Sequence, residues 1–114
     1  MAQKPPRLKL RLSHDADRCL ADIWRWNAQR YDASHANEYI EFLKKRAYEL
    51  ETDYSRGHRV PKYSAYRYVT IKKKSGGHGH VLIYLIQKKE ICALYFFHTA
   101  QDWPAQLRVI GARE

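Results

Sequence analysis

Cysteine is scarce: Cys19 and Cys92 are the only two in 114 residues. A secreted domain of this size would carry more, in paired patterns, so a disulfide framework is excluded and reduced thiols are expected. Glycine and proline are also few, five and four, against 45% hydrophobic residues, which excludes a disordered or low-complexity chain. No apolar run approaches the roughly 20 residues that cross a bilayer. Met1 to Pro6 lacks the apolar core of a signal peptide. The expectation is a single cytoplasmic domain with no membrane partner.

The most informative absence is that of acids. Met1 to Tyr54 holds ten Lys/Arg and nine Asp/Glu, and is nearly neutral. Ser55 to Lys89 holds nine bases and no acid, and the remainder sums to −1, which returns the net +9. An unbalanced field of this kind raises encounter rates with polyanions or acidic proteins.

Periodicity supplies the elements. Leu8, Leu10 and Leu12 alternate with Lys9 and Arg11, the pattern of a half-buried strand. Ser13 can cap a helix whose first turn carries Asp15 and Asp17. That helix places Ala16, Cys19, Leu20, Ile23, Trp24, Asn27 and Tyr31 on one stripe. Trp26 falls off the stripe and needs another surface to cover it.

After a break at 32–34, a second helix aligns Ala36, Tyr39, Ile40, Leu43, Ala47, Leu50 and Tyr54, with Glu41 and Lys45 spaced for an ion pair. The short loop makes the two helices an antiparallel hairpin. Arg56–Gly57 should end the second helix, and Val60–Pro61 keeps the chain extended. Three β-rich runs follow, Tyr66 to Lys73, His80 to Gln87 and Glu90 to Phe97, the last two almost wholly apolar and therefore central. Lys88–Lys89 is a two-residue link, and Asp102–Trp103–Pro104 starts a short terminal turn or helix. The predicted fold is α+β in the order β-α-α-β-β-β, a helical hairpin on a small, mainly antiparallel sheet. Its expected bounds are 8–107, between a flexible arm (1–7) and a tail (108–114).

In that order the sequence resembles the RelE/ParE superfamily of type II toxins, closest to the ParE branch. Leu20–Ala21–Asp22–Ile23–Trp24–Arg25, followed by Trp26, resembles the first-helix pattern L-x-D-I-W-x-Y. Arg59–Val60–Pro61 is similar to a shortened G-R-P-V-P. Arg67 falls where an arginine often opens the strand that follows. His80–Val81–Leu82–Ile83–Tyr84 is similar to H-x-I-x-Y, and Phe96 to Trp103 resembles the closing V-L-H-x-x-x-D-W. Two departures stand out: the hairpin from Thr70 to Gly79 is longer and richer in lysine, and Gly79 stands where an arginine usually precedes the strand histidine.

The resemblance implies one of two activities. ParE-like toxins bind and poison DNA gyrase; RelE-like toxins cleave mRNA on the ribosome. A third reading is a degenerate member that binds antitoxin without toxicity. A ribonuclease needs acid–base groups and cations at one phosphate, and His98 and Arg67 are the candidates for those roles. The expected target-binding set is Arg67, Lys72, Lys73, Lys74 and His80. A cognate antitoxin is the expected partner, with Trp24, Arg25, Arg30 and Lys44 as candidate contacts. By base rate the three tryptophans read as core, the alternative being that one of them lines the antitoxin groove. Asp102 is placed to accept a hydrogen bond from His98, which would raise the imidazole pKa or pin the terminal segment. His78 and His80 flank Gly79 without further ligands, so no metal and no cofactor is expected.

Overall fold

Ser13 ends the first strand and starts the first helix. Its hydroxyl accepts from the Ala16 amide at 2.9 Å and donates to the Leu94 carbonyl at 2.9 Å, fixing the helix start on the last strand. The computed structural model describes residues 6–73 and 77–110. Lys74, most of the expected arm and most of the tail lie outside them.

The elements are β1 (Lys9–Leu12), α1 (His14–Arg30), α2 (Ala33–Tyr48), α3 (Leu50–Asp53), β2 (His58–Val60), β3 (Tyr63–Ile71), β4 (His80–Gln87), β5 (Glu90–His98) and α4 (Trp103–Val109). The sheet order is β1-β5-β4-β3-β2, with β1 parallel to β5 and every other pair antiparallel. β4 and β5 are interior, as their unbroken apolar runs require. The α+β hairpin-on-sheet architecture is the one the periodicity predicts, and the sheet gains a short edge strand, β2.

Helices α1 and α2 lie on one face of the sheet. There Leu20, Leu43, Leu50, Leu82, Tyr84 and Ile91 form the main core. On the other face α4 seats Leu107 and Trp103 over Val60, Val81, Ile83 and Phe97. Strand alternation separates the two: Val69 and Ile71 face the helices while Tyr66 and Tyr68 face away.

Three local expectations are corrected. The second helix does not run unbroken to Tyr54 but turns at Glu49 into α3. The turn carries Glu51 to the free edge of β1, where its backbone carbonyl accepts from Leu8 and its carboxylate from Leu10, at 3.0 and 2.8 Å. An otherwise open strand edge is thereby covered. The Leu10 amide, with Arg7 beside it, holds the Glu51 carboxyl below the usual carboxylate range. Second, Glu41 and Lys45 do not pair; on this helix Arg46 and Glu49 do, at 3.4 Å. Third, Gly57 adopts no left-handed cap (φ −68°). A Cβ there would collide with the Tyr84 ring, which is buried and donates its hydroxyl to the Tyr54 carbonyl at 2.7 Å.

Lys88 and Lys89 make the tight link with φ of 49° and 65°. Both positions suit Asn-Gly, and an L-residue held there costs about 1 kcal/mol or more. Lys88→Asn/Lys89→Gly should therefore stabilise the fold by roughly 1–2 kcal/mol. The check is a raised urea midpoint at unchanged m value; a lowered midpoint would contradict it.

Candidate functional site

Between α1, the start of α2 and the β3–β4 hairpin runs an open groove of about 1200 Å³. Its floor is Cys19, Ile23 and Phe96. Burial pushes the Cys19 thiol pKa up, so the floor is an inert apolar surface.

The helical wall is aromatic. Trp26 and Tyr31 are both 57% exposed and meet edge-on, with ring centres 6.4 Å apart. The Arg30 guanidinium lies 5.5 Å from the centre of the Trp26 ring, and Tyr31 packs on His35 at 4.2 Å. Local chain geometry builds this wall. The Tyr31 amide closes α1 on the Asn27 carbonyl at 2.8 Å, and Asp32 caps α2 by accepting from the His35 amide at 2.7 Å.

The sheet wall holds three histidines. His80 and His98 face each other across β4 and β5, with rings at 5.3 Å, and His78 packs on His98 at 5.4 Å. His80 is only 8% exposed, and its Nδ1 lies 2.6 Å from the Tyr39 hydroxyl. Burial, with His98 beside it, drives the His80 pKa down to about 4. Burial likewise pushes the Tyr39 hydroxyl up to about 12. The pair is therefore neutral at pH 7 and ties α2 to the sheet by one hydrogen bond. Lys73 extends over Tyr39 and Phe42, 5.9 and 5.6 Å from their ring centres.

The expected hydrogen bond from His98 to Asp102 is corrected. His98 Nδ1 accepts from the Ala100 amide at 3.0 Å, while Asp102 accepts from Ala105 and caps α4. With no carboxylate on the ring, burial and His78 lower the His98 pKa instead of raising it. A helix-capping Asp explains the spacing better than an acid–base pair does.

The remaining candidates scatter. Arg67 is half-buried beside Tyr84 and donates to the Gly57 carbonyl at 3.2 Å. Lys72 and Lys73 stand exposed at the hairpin end of the sheet, and Lys74 lies outside the described residues. Of Trp24, Arg25, Arg30 and Lys44, only Arg30 lines the groove. Trp24 donates to Asn37 at 2.8 Å and links the two helices, and Arg25 pairs with Asp22 at 3.2 Å. Lys44 lies half-buried on α2. The core expectation for the tryptophans holds only in part, for Trp103; Trp24 is 37% exposed and Trp26 more so. Sequence reasoning missed Tyr31, His35 and Tyr39 as groove residues. One available signal was Trp26, an aromatic on the wrong face of its helix.

The family model for the ParE toxin of the type II toxin–antitoxin system parDE matches residues 10–103. The chain belongs to the ParE toxin family. It is accordingly a toxin of the type II toxin–antitoxin class. A chromosomal ParDE toxin–antitoxin system structure from P. aeruginosa superposes with a TM-score of 0.68 at 15% identity, covering 80% of this chain and 95% of that one. A conserved hypothetical protein from Helicobacter pylori, HP0894, superposes at 0.50 with 23% identity, over 82% of this chain and 97% of that one. At these identities the two share its fold. No curated protein matches the chain. Within the ParE frame Gly79 is explained sterically. A Cβ there would run into the Ile71 carbonyl oxygen, so the arginine expected before His80 has no room.

Proposed function

We propose that this ParE-family toxin acts by stoichiometric binding to DNA gyrase, and that a cognate antitoxin neutralises it by laying an amphipathic segment in the groove. The observation that carries the antitoxin half is the groove itself: two aromatic side chains more than half exposed above an apolar floor. Such a surface on a small domain calls for a partner. A helix or strand with apolar residues on one face matches it, and acidic residues on its rim would meet Arg30 and Lys73. Lys72, Lys73 and Lys74 on the lengthened hairpin are the proposed target contacts. His80 and Arg67 serve them by holding the strands in place.

The geometry favours binding over RNA cleavage. Arg67 is level with Tyr84, whereas His98 is level with His80 and Ile71. Arg67 and Ile71 are four residues apart on one strand, a gap of about 13 Å at roughly 3.3 Å per residue. A cation and an acid–base group for one phosphate must sit closer than that.

Purified toxin is added to gyrase with relaxed plasmid and, in parallel, to ribosomes programmed with mRNA. The expected result is blocked supercoiling and intact mRNA. Codon-positioned cuts with unaffected supercoiling would overturn the proposal in favour of a ribonuclease. In that event Arg67→Ala and His98→Ala should each lower cleavage by about 10²-fold or more.

A further inference from the structure

The acid-free run has two poles. Lys72 and Lys73 lie at the hairpin end of the sheet; Lys62, Lys88 and Lys89 lie at the other. Tyr66 pairs with Leu85 and Arg67 with Tyr84, so the turn at Lys62 that precedes β3 and the turn at Lys88–Lys89 that follows β4 lie at the same end of the two strands. Two turns from different parts of the chain thus present three exposed lysines at one end of the sheet.

All three lysines have positive φ: 69° at Lys62, 49° at Lys88 and 65° at Lys89. They are the only such non-glycine residues among those described. Each sits where glycine or asparagine would relieve the backbone, so the turns keep a cationic side chain in a strained position. The nearby carboxylate of Glu90 is held by Arg11, 3.6 Å away.

Beside the lysines, on the sheet face opposite α1 and α2, Tyr63 and Tyr66 stack with centres 6.2 Å apart and planes 18° from parallel. Both rings are half-buried, which fixes them and leaves part of each open. Trp103 covers Tyr68 next to them, at 4.8 Å.

We propose that this end of the sheet binds single-stranded DNA, with Lys62, Lys88 and Lys89 on successive phosphates and the Tyr63–Tyr66 pair stacked against bases. Stacking on a ring requires an unpaired base, so a single strand fits this face and a duplex does not. The choice of DNA over RNA rests on the proposed gyrase target. The contact itself needs no gyrase and is tested without it.

The probe is a fluorescein-labelled oligodeoxythymidine of about 16 nucleotides, the upper site size of a small single-strand-binding face. Binding is read by anisotropy across a salt series. Lys62→Gly/Lys88→Asn/Lys89→Gly removes the charges and relieves the strained turns together. It should melt higher than the parent yet bind at least about tenfold more weakly, with a log–log salt slope shallower by about 2. Tyr63→Leu/Tyr66→Leu should weaken binding by about tenfold at an unchanged slope. If that variant fails to fold, the lysine variant still decides. Lys72→Gln/Lys73→Gln, at the opposite pole, should bind like the parent. Parental affinity in the first variant, or equal loss in the opposite-pole variant, would overturn the proposal. So would tighter binding of duplex or of oligouridine, and none of these results bears on gyrase inhibition.

Discussion

His80→Gln is expected to remove most of the acid sensitivity of this fold. In the native state the His80 pKa is about 4, against about 6.5 for an unfolded histidine. The unfolded chain therefore binds the proton more readily, and stability rises with pH. This contribution is fully present above about pH 6.5 and is lost as the pH falls towards 4. It amounts to about 2 kcal/mol by pH 5 and roughly 3 kcal/mol by pH 4. The cause is structural. The ring is buried against Ile71 and His98, bonded to Tyr39, and has His98, His78 and Lys73 as its charged or titratable surroundings. Protonating it puts a charge in a buried site, beside His98. Urea unfolding from pH 7 to pH 4 should show a steep loss in the parent and a much flatter curve in His80→Gln. Parallel curves would show that the acid sensitivity lies elsewhere.

Trp26→Ala/Tyr31→Ala should weaken antitoxin binding by at least about 100-fold, since exposed aromatic anchors that become buried in an interface each contribute 2 kcal/mol or more. Both rings stand on α1 and its cap with more than half their surface in solvent, so little core packing is lost. Trp24→Ala is the contrasting variant. It breaks the 2.8 Å bond to Asn37 that links α1 to α2, and should lower fold stability more than it lowers affinity. Calorimetric titration with the cognate antitoxin, together with urea melts, separates the two. Unchanged affinity in the double variant would remove the groove as the docking site.

The residues announce the fold far better than the site. Unbroken apolar runs mark β4 and β5 as interior strands, and Ser13, Asp32 and Asp102 cap helices where local chemistry requires. The edge strand β2 escapes notice because its three residues carry no alternation of their own; pairing with β3 alone makes them a strand. The groove assembles residues up to 82 positions apart, Cys19 to Gln101, which no local pattern joins. Helical periodicity puts Trp24 and Tyr31 on the core stripe, but both stand exposed, Tyr31 at the C-terminal end of α1. The His98–Asp102 spacing misleads for the opposite reason. It coincides with the spacing of a helix cap, and the backbone takes the carboxylate first.

Stoichiometric gyrase binding is read by calorimetric titration of purified gyrase with this toxin, free and preloaded with its antitoxin. Free toxin is expected to saturate gyrase at a fixed stoichiometric ratio, and the preloaded complex to give no binding heat. Absence of binding by the free toxin, with mRNA cut by substoichiometric amounts of it on the ribosome, would make it a ribonuclease and not a gyrase-binding toxin.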